Sequence, residues 1–165
     1  MRIMRGVLQF ICRILFRVSV VGDCSPLTTG KSLVIANHGS FLDGPLLALF
    51  LPRHPLVVLS RADMRHWLVR FMAPFVRHVV VDLSEPSIVR QMVRLLDGGE
   101  VVVMFPQGRI ATAGSVMKFY DSVAAIALRS RAAVIPVFVQ IALYSVHTRG
   151  GSPFRYGWVP RSRSV

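Results

Sequence analysis

A chain of 165 residues, 53% of them hydrophobic and with a mean hydropathy of +0.53, is long enough for one domain with a real core. It holds no run near the roughly 18 consecutive apolar residues that cross a bilayer, so the apolar excess points to a membrane surface or a lipid chain. Twenty basic residues, eighteen of them arginine, against eight acidic ones give a net charge of +12, which favours an anionic partner. The arginines are spread out and no zinc-finger, RNP or helix-turn-helix pattern is present, which argues against nucleic acid. Cys12 and Cys24 without C-x-x-C spacing argue against a disulfide framework or a thiolate metal site.

Residues 1–21 read as a helix with a narrow polar stripe of Arg2, Arg5, Gln9, Arg13 and Arg17, the remainder being apolar. Arg13 and Arg17 interrupt what would be the apolar core of a secretory signal. The expectation is a membrane-surface helix whose arginines meet anionic headgroups, at about 1 kcal/mol each. A turn-rich connection, Asp23 to Lys31, leads to a buried strand at Ser32–Ala36. Asp43 or Gly44 then caps a helix with Pro45 in its first turn, running through Leu51 until Pro52 and Pro55 end it. Leu56–Leu59 reads as a second strand, Ala62–Met72 as a helix and Phe75–Leu83 as a third strand carrying Arg77 and His78.

Ser84-Glu85-Pro86 opens a helix stopped by Gly98-Gly99, and Val101–Phe105 is a fourth strand feeding the loop Pro106-Gln107-Gly108-Arg109, which continues to about Ser115. A helix around Tyr120–Ser130 and a strand at Ala133–Val139 complete the pattern. Strands alternating with helices at this spacing predict an α/β domain: a largely parallel central sheet flanked by helices, with functional loops at the carboxyl ends of the strands. The expected divisions are the membrane-associating amphipathic helix at 1–21, the main domain at 22–143 and a Gly/Arg-rich tail at 144–165 that lacks apolar periodicity.

Chemistry concentrates in Asn37-His38-Gly39-Ser40-Phe41-Leu42-Asp43, between two apolar runs. A carboxylate can hold an imidazole's tautomer and stabilise the imidazolium once a proton is taken. On an unbroken helix a step of five turns about 140°, so His38 and Asp43 meet only if Gly39-Ser40 makes a turn. A capping aspartate near an unrelated histidine would share this pattern. Ser40 lacks a G-x-S-x-G elbow, which favours direct transfer over a covalent acyl-enzyme. His54, His66 and His78 fall in three predicted segments without a carboxylate cluster, so no metal or other cofactor is expected. A strand running into Pro-x-Gly-Arg offers exposed amides and a guanidinium suited to a phosphate.

In order, Asn37–Asp43, then Phe105-Pro106-Gln107-Gly108-Arg109, then Val134-Ile135-Pro136-Val137 resemble the glycerolipid (lysophospholipid) acyltransferase family, which contains bacterial 1-acylglycerol-3-phosphate acyltransferases. The wording around these blocks looks most like the acyltransferase half of the bifunctional 2-acylglycerophosphoethanolamine acyltransferase/acyl-carrier-protein synthetases. The resemblance implies that His38 deprotonates the acceptor hydroxyl with Asp43 as its partner, and that the oxygen attacks the thioester of acyl carrier protein or coenzyme A. Gln107, Gly108 and Arg109 would seat the lysophospholipid acceptor, with Arg77 as a further contact. A peripheral place on the cytoplasmic face of a bacterial inner membrane follows from the same resemblance. Two departures stand out. Gln107 replaces the family's usual Glu, which is expected to weaken activity or alter acceptor choice, and the chain passes into its tail where the family continues with further strands and helices. A catalytically weak, membrane-binding relative is the alternative reading.

Overall fold

Val, Leu and Ile dominate the short runs that follow the turn signals, and each such run forms a strand of one sheet. The structure is a computed structural model describing residues 2–82, 85, 87–107 and 120–139. Among these, β1 (Ser32–Ala36), β2 (Leu56–Ser60), β3 (His78–Val81), β4 (Val101–Met104) and β5 (Ala133–Val137) form one parallel sheet in the order β3-β2-β4-β1-β5. The helices are α1 (Arg2–Phe16), α2 (Asp43–Phe50), α3 (Trp67–Met72), α4 (Ser87–Asp97) and α5 (Asp121–Ser130).

Successive side chains of a strand point to opposite faces, so a strand covered on both sides reads as an unbroken apolar run. Along β4, Val102 and Met104 pack with Ile88, Met92 and Leu96 of α4 and Ile126 of α5, whereas Val101 and Val103 join Leu47 of α2 on the other face. Ile88, Met92 and Leu96 recur at every fourth position of α4 and are buried. Gly99, at φ +83°, turns the chain back after that helix as the Gly98-Gly99 stop predicts. Pro136 lies in β5, an edge strand where a missing N–H is tolerated.

The connections decide where a ligand can sit. The chain leaves β1 through α2 towards β2 on one face and leaves β4 through α5 towards β5 on the other. β1 and β4 are neighbours, with Ile35 opposite Met104. Their carboxyl ends therefore flank a topological switch point, where open parallel sheets leave a crevice.

Several expectations need correction. The helix foreseen over 62–72 is divided: Asp63–Arg65 form a single 3-10 turn, His66 is extended, and only Trp67–Met72 is α-helical. Side chains supply the reason. Asp63 Oδ2 accepts from the Ser60 amide and hydroxyl at 2.9 and 2.7 Å, and the His66 ring caps α3 by accepting from the Leu68 N–H at 3.3 Å. The third strand starts at His78 because Ala73-Pro74-Phe75 close another 3-10 turn. The expected helix opening at Ser84 and Pro86, the loop through Gly108, Arg109 and Ser115, and the tail at 144–165 lie outside the described residues.

The larger correction concerns α1. The middle of its polar stripe turns towards the domain: Arg5 Nε donates to Leu49 O at 2.9 Å, Arg5 Nη2 to Leu51 O at 2.6 Å, and Gln9 Nε2 to Leu49 O at 2.7 Å. The Arg13 guanidinium lies 5.7 Å from the centre of the Phe50 ring. Val7, Leu8, Phe10, Ile11, Ile14 and Leu15 face outward, Phe10 being 64% exposed. Arg5 and Arg13, expected beside headgroups, instead hold the helix to its own domain.

Candidate active site

His38 enters the switch point because β1 ends at Ala36 and the next residues turn before α2 begins. Asn37 makes the junction rigid: its amide donates to Val139 O at 2.9 Å and accepts from Val139 N–H at 2.7 Å, prolonging the β1–β5 pairing by one side chain. The turn required at Gly39-Ser40 is present and is organised by the carboxylate itself. Asp43 Oδ2 accepts from the Gly39 and Ser40 amides at 2.7 and 2.8 Å, and lies 3.1 Å from His38 Nδ1. An ionised carboxylate only accepts, so Nδ1 must be the donor in that contact, leaving Nε2 with its lone pair. Asp43 is wholly buried and His38 is 8% exposed.

Phe105, just past β4, stacks on the His38 ring with centroids 4.2 Å apart. One ring face is thereby fixed from the neighbouring strand end. Beside the imidazole lies a groove of about 540 Å³ when the space open to solvent is counted. It runs past Phe41 and Pro45 to Val57, Leu68 and Met72, and apart from His38 and Asp63 its walls are apolar. A proton acceptor in the wall of an apolar groove can serve a reaction between a hydroxyl and a group carried on a hydrocarbon chain.

A family model described as Acyltransferase matches residues 17–140. The chain belongs to the acyltransferase family. It is 31% identical over 145 residues to a lyso-ornithine lipid O-acyltransferase of Pseudomonas aeruginosa, an alignment covering 84% of this chain and 53% of that protein. Its fold resembles the crystal structure of the 1-acyl-sn-glycerophosphate (LPA) acyltransferase PlsC from Thermotoga maritima, with a TM-score of 0.57 and 22% identity over 79% of this chain and 50% of that one. The chain thus spans about half the length of each. These findings support the glycerolipid/lysophospholipid acyltransferase family that the three ordered blocks resemble.

On this acyltransferase fold the residues singled out from the sequence separate into three groups. His38 and Asp43 are in contact, and Gln107 follows β4 on the same side of the sheet. Gln107 is 7% exposed, and its Oε1 has no partner among the described residues. Gly108 and Arg109 lie outside the described residues. Arg77 is not brought to the site. It precedes β3, and its guanidinium donates to Glu100, just ahead of β4, at 2.7 and 3.1 Å and to His54 O at 3.1 Å, all at the amino ends of the strands. Sequence reasoning missed Asn37 and Phe105 as positioning groups. The one available signal was a polar residue directly after an apolar strand, and for Phe105 there was none, since the β1–β4 adjacency is not local.

The Arg77 pair is structural, and its pH signature follows from its chemistry. Hydrogen bonds from Arg77 are the main reason the Glu100 carboxyl is held below its ordinary value of 4.5. A carboxyl depressed by folding contributes stability above its unfolded value, and that contribution is lost as pH falls through the folded one. Because both partners are substantially exposed, Glu100→Gln is expected to cost only about 0.5 kcal/mol at neutral pH. Urea midpoints should separate the two proteins at neutral pH and converge in strong acid; a gap that persists in acid would assign Glu100 another role.

Proposed function

We propose that the chain transfers a fatty acyl group from a thioester donor, acyl carrier protein or coenzyme A, to the free hydroxyl of a lysophospholipid such as 2-acylglycerophosphoethanolamine or 1-acylglycerol-3-phosphate. His38 Nε2 takes the hydroxyl proton, and the oxygen forms its bond to the thioester carbonyl carbon. The resulting tetrahedral intermediate collapses with cleavage of the carbon–sulfur bond, and the imidazolium returns the proton to the departing thiolate. Asp43 holds the ring and offsets its positive charge while the proton is there. The observation that carries this reading is the His38–Asp43 contact of 3.1 Å in the wall of the apolar groove. The groove takes acyl chain, and Gln107, Gly108 and Arg109 seat the acceptor headgroup.

The reaction runs at a membrane surface, on the cytoplasmic face of a bacterial inner membrane. No helix among the described residues is long and apolar enough to cross a membrane. What supports surface binding is the outward face of α1. Fully burying a Leu, Ile, Val or Phe side chain gains about 1.5–3 kcal/mol, so half of that from six residues exceeds the roughly 4 kcal/mol that four arginines would supply if all reached headgroups, and Arg5 and Arg13 are turned to the domain. Apolar insertion, more than charge, sets the attachment.

Assays of the purified protein with a panel of lysolipids and both donors test the proposal; no transfer to any of them would remove it. Vesicle binding without transfer would favour the catalytically weak relative, a reading that the neutral Gln107 favours, its Oε1 having no partner among the described residues. Gln107→Glu is accordingly expected to raise turnover about three- to ten-fold, because charge-assisted hydrogen bonds are roughly twice as strong as neutral ones. An unchanged or lower kcat would show that the amide is the fitted group.

A further inference from the structure

We infer that Arg5 and Gln9 are positioning residues for the catalytic pair, acting through α2, whose carboxyl end they clamp and whose first residue is Asp43. The last four carbonyls of a helix lack partners within it and are usually satisfied by a glycine turn or by water. No glycine ends α2, and the left-handed residues come only at Arg53 and His54, at φ 61° and 49°. Leu51 is extended at φ −72°, ψ 146°, and Pro52 follows without an N–H to fold back. In its place Arg5 and Gln9 reach across from α1 and supply three donors to Leu49 O and Leu51 O at 2.6–2.9 Å. A guanidinium there also meets the negative end of the helix dipole.

α2 is eight residues long, a rod of about 12 Å. Its amino end bears Asp43, whose Oδ2 orients His38, and its carboxyl end is tied to α1 by the clamp. A tilt of so short a rod is felt at both ends. The face of α1 opposite the clamp is the apolar one, so whatever takes hold of α1 acts on the catalytic carboxylate through one rigid element. This rests on the acyl-transfer reading for its kinetic consequence, though not for the geometry.

The test is a double-mutant cycle on the full chain, using a short-chain lysolipid below its micelle concentration so that membrane binding plays no part. Arg5→Met is expected to lower kcat about ten-fold, within the cost of displacing catalytic groups by under an ångström, with KM changed less than about two-fold. Arg5→Lys should recover part of that loss. In an Asp43→Asn background, Arg5→Met should cost less than about two-fold, because the group it positions is already gone. Equal losses in both backgrounds, or no loss in either, would overturn the inference. Nitrogen NMR of the His38 ring gives a readout independent of turnover: its signals should move in Arg5→Met, and unmoved signals would sink the clamp even if the wild type transferred no acyl group. Should Arg5→Met not fold, Gln9→Leu removes one of the three donors and is read in the same way, with a loss of about three-fold expected.

Discussion

His38→Ala is expected to reduce acyl transfer by about 10²–10⁴-fold, the usual worth of a positioned general base, with vesicle binding unchanged. The ring is the only group among the described residues that combines contact with a buried carboxylate, a second ring nitrogen left over and a place in the groove wall. Its removal leaves the hydroxyl to attack with its proton still on, while the apolar walls contributed by Val57, Leu68 and Met72, and α1, are untouched. Folding should survive, since alanine after Asn37 keeps the turn: the Gly39 and Ser40 amides still find Asp43. Single-turnover acyl transfer, with circular dichroism as the control, measures this. A variant matching the wild type would mean that another group removes the proton.

Asp43→Asn is expected to cost as much in rate and, unlike His38→Ala, to cost stability as well. Oδ2 accepts from two backbone amides and the imidazole within 2.7–3.1 Å, in a position with no solvent. An asparagine retains one acceptor and adds an NH₂. If the oxygen keeps the backbone amides, the ring loses the charge that offsets the imidazolium; if the NH₂ turns towards them, donors face donors. Leaving a buried donor unsatisfied costs about 1–3 kcal/mol, which should lower the urea midpoint measurably. In a comparable carboxylate–imidazole arrangement, the amide replacement costs about 10⁴ in rate through the wrong tautomer. Undiminished turnover with a lowered midpoint would reduce Asp43 to a turn-former, the alternative that sequence alone left open.

Much of the scaffold was legible. The apolar run at Ser32–Ala36 forms β1 with those bounds and Gly98-Gly99 ends α4, because each depends on chemistry within a few residues; α2 opens where expected, but Leu42 holds the cap position instead of Asp43 or Gly44, and Asp43 is its first helical residue. Errors fall where side chains intervene. Asp63 and His66 satisfy nearby backbone groups and split one expected helix, while Pro74 sits in the turn that delays β3. The His38–Asp43 contact was half legible: the spacing demanded a turn, and only the structure shows that Asp43 builds it by binding Gly39 and Ser40.

By itself the sequence determined the periods of the elements, the parallel α/β class and the junction at which a base and a carboxylate could meet. Local sterics and hydrogen bonds set these, and they are written in neighbouring residues. Tertiary structure alone decided which strand ends adjoin. The order β3-β2-β4-β1-β5 sets Phe105 against His38 and leaves Arg77 at the far end of the sheet, tied to Glu100. It also decided which way α1 faces. A stripe of arginine and glutamine signals only that polar partners are needed, and whether those are headgroups, water or the open carbonyls of α2 depends on what the folded chain brings within reach.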